Sequence, residues 1–122
     1  MIDFKNGAIV KLSKTSKTPQ EINALLIPDE NIISTYQGFR DYVTFTNKRI
    51  ISVNVQGMIG KKKDYTSLPY SKVQAFSVET AGGFDLDCEL ELSFSSLGKV
   101  KFEFAGKCNI VEIGKIISQY IL

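Results

Sequence analysis

From Phe84 to Phe94 the chain alternates with a period of two. Phe84, Leu86, Cys88, Leu90, Leu92 and Phe94 are apolar, and the residues between them, Asp85, Asp87, Glu89, Glu91 and Ser93, are acidic or hydroxylic. Successive side chains of a strand point to opposite faces, so this segment has one dry face and one wet, acidic face. The same reading gives seven strands, at 32–37, 41–46, 49–55, 61–68, 72–80, 84–94 and 99–104, separated by Gly, Pro, Ser and Asn turns. The last two form a hairpin. Val100, Phe102 and Phe104 face the core, and Lys99 and Lys101 stand near Glu89 and Glu91 on the wet face, where opposite charges favour pairing and register. Asn47-Lys48 makes a tight turn between the second and third strands, Asn being tolerant of a left-handed backbone.

Two helices flank the strands. Thr18-Pro19-Gln20-Glu21 reads as a cap, a first-turn proline and a capping box, followed by an Ile22, Leu25 and Leu26 stripe that must stop before Pro28. At the other end, Asn109 caps and Glu112 occupies the box position, and Ile113, Ile116, Ile117, Tyr120 and Ile121 make one apolar face. Residues 1–17 are mixed and end in a polar, basic run, Lys11-Leu12-Ser13-Lys14-Thr15-Ser16-Lys17, expected to be an extension or linker; the domain proper is 18–122.

A chain of 122 residues with 43% hydrophobic and 23% charged content fits one folded domain. A net charge of +2 does not indicate nucleic acid as a partner. The absence of His removes the commonest general base and metal ligand, so triad chemistry finds no partner for Ser, Thr or Cys. Cys88 and Cys108 read as separate buried thiols in a reducing cytosol, with a disulfide or a two-thiol metal site as the alternatives. The N-terminus lacks the pattern of a signal peptide and no apolar run reaches membrane-span length, so a soluble, cytoplasmic protein is expected.

Asp41-Tyr42-Val43-Thr44-Phe45-Thr46-Asn47-Lys48-Arg49-Ile50-Ile51 resembles a strand hairpin of the bacterial pleckstrin-homology (PH) domains. Gln56-Gly57-Met58-Ile59-Gly60-Lys61-Lys62, Leu68-Pro69-Tyr70-Ser71-Lys72-Val73 and the stretch from Phe76 through Gly82-Gly83 to Asp87 are similar to that family too, and together the likeness spans roughly residues 22–122. The resemblance implies a mainly β, PH-like split barrel of seven antiparallel strands in two near-orthogonal sheets. A C-terminal helix caps the barrel, and the helix before the first strand is an addition. It also implies a bacterial source and a ring-shaped homo-oligomer, a pentamer being one such ring.

Two charged groups are candidate sites. Lys61, Lys62 and Lys63, with Arg40 in the link before the second strand, could bind an anion or a phospholipid head group; clustered lysines contribute about 1 kcal/mol each near an anionic surface. They could equally be solvated charges that protect a sheet edge. Asp85, Asp87, Glu89 and Glu91 could hold a divalent cation or do acid–base chemistry. As the wet face of a strand they would instead pair with lysines, or in a ring meet Lys61 to Lys63 or Lys99 of the next subunit. Tyr36, Phe39, Tyr42, Tyr65, Tyr70 and Tyr120 are expected at the core edge or a subunit interface. The expected function is a non-catalytic, self-associating module, without cofactor or metal, that presents a polar surface to a protein partner. An anionic-membrane adaptor is the alternative, and a carboxylate-based metal or enzymatic site the third.

Overall fold

Alternating polarity builds a single eight-stranded sheet in the computed structural model, which describes residues 1–4, 9–56, 62–80, 87–106 and 109–122. In chain order the elements are β1 (Ile9–Thr15), α1 (Gln20–Leu25), β2 (Ile32–Gln37), β3 (Asp41–Thr46), β4 (Arg49–Gln56), β5 (Lys62–Pro69), a 3-10 turn (Tyr70–Lys72), β6 (Ala75–Thr80), β7 (Cys88–Phe94), β8 (Gly98–Phe104) and α2 (Ile110–Ile121). The strand order across the sheet is β5-β4-β3-β2-β1-β8-β7-β6. The mainly β, PH-like fold with a C-terminal helix and an added N-terminal helix is thus present, with eight strands in place of seven.

The additional strand is β1, in the stretch expected to be a linker. It pairs antiparallel with β2 through Ser13 and Gln37, and parallel with β8 through Ile9 and Phe102, so it is the seam between the two halves of the sheet and the exception to antiparallel pairing. Its register shifts between Ile9 and Leu12, and Lys11 there has φ +58°. That left-handed residue lets the strand bulge and drive Leu12 into the core, where it is fully buried.

Strand β7 shows the expected alternation, with Cys88, Leu90, Leu92 and Phe94 buried and the residues between them half-exposed. Phe102 and Phe104 of β8 meet aromatic neighbours. Phe4 lies edge-on to Phe102 at 6.2 Å, and Tyr36 edge-on to Phe104 at 4.8 Å. From α2, Ile113, Ile116 and Ile117 join this core, so the helix is seated against the sheet. Asn109 caps α2 as expected, its Oδ1 accepting the Glu112 N–H at 3.0 Å. The Glu112 carboxylate does not turn back to complete a box; it takes Lys14 Nζ at 3.1 Å and so ties α2 to β1.

Other expectations are corrected. Tyr36 and Tyr70, expected at the core edge or a subunit interface, are buried in the core. The Tyr70 hydroxyl donates to the Thr46 carbonyl at 2.7 Å, its ring stacks on Tyr120, and burial pushes its phenol well above the ordinary range. Thr18 does not cap α1; its hydroxyl bonds Thr35 Oγ1 at 2.7 Å. Helix α1 instead lays Ile22 over Ile51 and Val53 on the outer face of β4. Among the described residues the left-handed non-glycine positions are Lys11 and Asp29, so Asn47 does not use that conformation. Its side chain holds the segment before β2, accepting the Asn31 N–H and donating to the Asp29 carbonyl, both at 2.8 Å.

Candidate functional site

Strand pairing brings most of the basic candidates to one end of the sheet. Val55 N–H donates to the Arg40 carbonyl at 2.9 Å, and Val55 and Gln56 pair with Lys63 and Lys62. Arg40, Lys62 and Lys63 therefore share a rim, and Lys61 lies outside the described residues. Lys63 is engaged by Glu21 of α1 at 2.8 Å, which raises the ammonium pKa and lowers that of the carboxyl. The pair removes one positive charge from the rim, and Lys62 stays exposed. Beside Arg40, Phe39 is 95% exposed, and the guanidinium carbon lies 5.9 Å from its ring centroid, within cation–π range. The β2–β3 link thus ends in an aromatic tip carrying a cation, where the sequence suggested only a short turn.

Of the four acidic candidates, three lie among the described residues. Asp85 lies outside the described residues. Asp87 precedes β7, and its carboxylate accepts the Gly106 N–H at 2.9 Å. Glu89 and Glu91 project from the outer face of β7 as expected, and Lys101 of β8 reaches Glu89 at 3.4 Å. Lys101 stands directly opposite Glu91, and Lys99 opposite Ser93. Sequence reasoning missed the register that aligns Glu79 of β6, Glu89 of β7 and Glu103 of β8 in one row across three strands. Like charges directly opposite destabilise a sheet. Glu103→Lys should therefore raise stability by ~0.2–1 kcal/mol, read as a higher urea midpoint that falls back toward wild type in high salt.

Next to this row the outer face is hollow. Ala75, Ser77 and Ser93 give it a floor of small side chains on neighbouring strands. Phe76, Glu91 and Lys99 complete a depression of about 280 Å³. Among the described residues no group of three His, Cys, Asp or Glu could hold a metal ion.

The expectation of a free thiol at Cys88 is also corrected. Cys88 is disulfide-bonded, and the chain's other cysteine, Cys108, lies outside the described residues. Opposite Cys88 in register stands Phe104 of β8.

A further polar cluster, unanticipated from sequence, lies under α1. Glu30, whose side chain is fully buried, accepts both Nε and an Nη of Arg49 at 2.9 Å, together with the Thr46 hydroxyl at 2.7 Å and the Ile27 N–H at 3.1 Å. Burial pushes the Glu30 carboxyl up, and these four donors outweigh it, holding the carboxyl below the usual range. Arg49 continues to the Leu25 carbonyl and Ser67 Oγ. Every group here is satisfied within the cluster, which makes it a clamp for the α1–β2 connection and not a reaction centre.

Comparison with known proteins agrees with this architecture. The family model described as "Bacterial PH domain" matches residues 3–121. The uncharacterized protein YjqA of Bacillus subtilis (strain 168) is 38% identical over 106 residues, covering 85% of each chain. A DUF1696 family protein with a pleckstrin-homology domain from Shewanella loihica PV-4 superposes with a TM-score of 0.81 at 35% identity, over 92% of this chain and 98% of that one. A pleckstrin-homology domain from Shewanella amazonensis SB2B gives a TM-score of 0.65 at 38% identity, over 84% of both.

Proposed function

The chain belongs to the bacterial PH-domain family, and from that premise we propose that it is a non-catalytic binding and scaffold module that self-associates, in a ring, and offers a polar surface to a protein partner. One observation carries this reading. Among the described strands the sheet is open at both ends, at β5 and at β6. Edge strands present unpaired backbone groups that template pairing with another chain. The two edges differ in charge. Strand β5 begins with Lys62 and Lys63, and the glutamate row begins on β6 with Glu79. Unlike edges suit head-to-tail contacts, which close into rings when the rotation permits. The setting for this assembly is the cytoplasm expected from the sequence.

Size-exclusion chromatography with light scattering on the full chain tests the proposal. A defined oligomer at micromolar concentration that dissociates toward monomer as salt rises is the expected result. A monomer at every concentration would count decisively against it.

A second reading is favoured by the Phe39 tip beside Arg40 and Lys62. An apolar residue flanked by cations is the composition of a segment that lies on anionic lipid. Among the described residues no helix is long and apolar enough to cross a membrane, so such contact would be peripheral to the extent that helices decide it. Sedimentation with phosphatidylserine vesicles distinguishes this reading. Binding that survives the double variant R40E/K62E would remove it.

A further inference from the structure

We infer that the hollow on the outer face of β6, β7 and β8 is a binding site for a small zwitterion of the α-amino-acid type. Such a site goes beyond self-association and needs no second subunit.

Register sorts the lining of the hollow into two rows. Ala75 of β6, Ser93 of β7 and Lys99 of β8 stand opposite one another, and Ser77 of β6, Glu91 of β7 and Lys101 of β8 form the next row. The first row offers the hollow an ammonium and a hydroxyl, and the second a carboxylate and a hydroxyl. Lys101 does not cancel that carboxylate. Its ammonium reaches Glu89 at 3.4 Å, and Glu91 adds to the field that raises its pKa without pairing to it. Among the described residues neither Glu91 nor Lys99 has an ion-pair partner, and the two do not meet each other.

Two unlike charges held apart on one floor match a ligand that carries both. Same-face rows lie about 7 Å apart along a strand, so one short molecule reaches from Lys99 to Glu91. Its ammonium lies against Glu91 and the Ser77 hydroxyl, and its carboxylate against Lys99 and the Ser93 hydroxyl, as charge-assisted hydrogen bonds. At about 280 Å³ the depression holds a molecule the size of an amino acid, and Ala75 and Phe76 give its side chain an apolar wall. A ligand of one sign satisfies only one row. An anion such as inorganic phosphate meets Glu91 as a repulsion, and a simple cation meets Lys99 in the same way.

The test is an amide-resolved NMR titration of the full chain with L-leucine, whose branched side chain suits the apolar wall. Beside it are run N-acetyl-L-leucine, which lacks the ammonium, and L-leucinamide, which lacks the carboxylate. L-leucine should give saturable shifts at the amides of Ser77, Glu91, Ser93 and Lys99, and each blocked form should bind about tenfold more weakly or worse. E91Q and K99M lie at half-exposed and exposed positions and should each weaken L-leucine binding by a similar factor, with circular dichroism to establish that they are folded. The exchanged pair E91K/K99E keeps one charge of each sign and should bind better than E91K or K99E alone. A titration that does not saturate at the solubility limit of L-leucine overturns the site, as do equal affinities for the parent and both blocked forms. Shifts centred on any other surface overturn it too. Sedimentation velocity in the same buffer keeps the two readings separate. A monomer that binds L-leucine supports the site and removes the ring, and an oligomer that does not bind it removes the site and keeps the ring.

Discussion

Replacing Arg49 with alanine should cost about 3–5 kcal/mol of folding stability, because it leaves a buried carboxylate without its counter-charge. The Glu30 side chain is fully buried and Arg49 closes two of its four hydrogen bonds. Removal also frees the Leu25 carbonyl and Ser67 Oγ that the same guanidinium holds, so the end of α1 loses its tether to β4 and β5. Urea unfolding checks the magnitude, and Glu30→Gln in the R49A background should restore part of the loss by removing the orphaned charge.

The pH dependence gives a second readout. In the wild type the folded Glu30 carboxyl titrates below its unfolded value. Its contribution is complete above the ordinary carboxylate range, near about 4.3, and is lost as pH falls through the lower folded value. Without Arg49 the burial that pushes the carboxyl up faces weaker opposition. The acid-linked loss from this group should then shrink or change sign. An R49A protein that matches wild type in both stability and acid profile would show that the clamp is ornamental.

Phe104→Ala is expected to have a comparable effect, about 3–5 kcal/mol, by opening a cavity where three parts of the fold meet. Phe104 is 1% exposed, with Tyr36 of β2 at 4.8 Å and Phe45 of β3 at 6.4 Å. In register it stands opposite Leu12 of β1 and Cys88 of β7. Its truncation should lower the melting temperature and also raise hydrogen exchange across β1, because that strand depends on β8 for half of its pairing. Phe104→Leu, which keeps most of the volume, should lose much less. Equal losses for the two variants would indicate that something other than the cavity is being measured.

The parts of this fold legible in the sequence are those whose physics is local. The 88–94 alternation, the hairpin it makes with 98–104, the apolar face of α2 and its Asn109 cap are each encoded within fewer than twenty residues. Strand β1 was not legible because a bulge at Lys11 interrupts its period, leaving Leu12 among Lys, Ser and Thr in what reads as a polar connector. The Glu30–Arg49 clamp joins residues 19 positions apart, and in sequence each looks like an ordinary surface charge. Of the candidate site, the charges were visible and their company was not. Glu21 beside Lys63, Glu103 beside Glu89 and the hollow between Ala75 and Glu91 all follow from register, which only the paired strands reveal.

Strand β1 also has a consequence for how the protein is made. Ile9 pairs with Phe102, and 93 positions separate them in the chain. At a translation rate of about 5–20 residues per second, β1 waits several seconds or longer after it emerges for its parallel partner. Until then the two halves of the sheet share no seam, and the nascent chain carries unzipped borders at its middle as well as at its rim. Folding should be gated by this late docking of the two ends, and a release of the chain before β8 should leave it prone to stick to its neighbours.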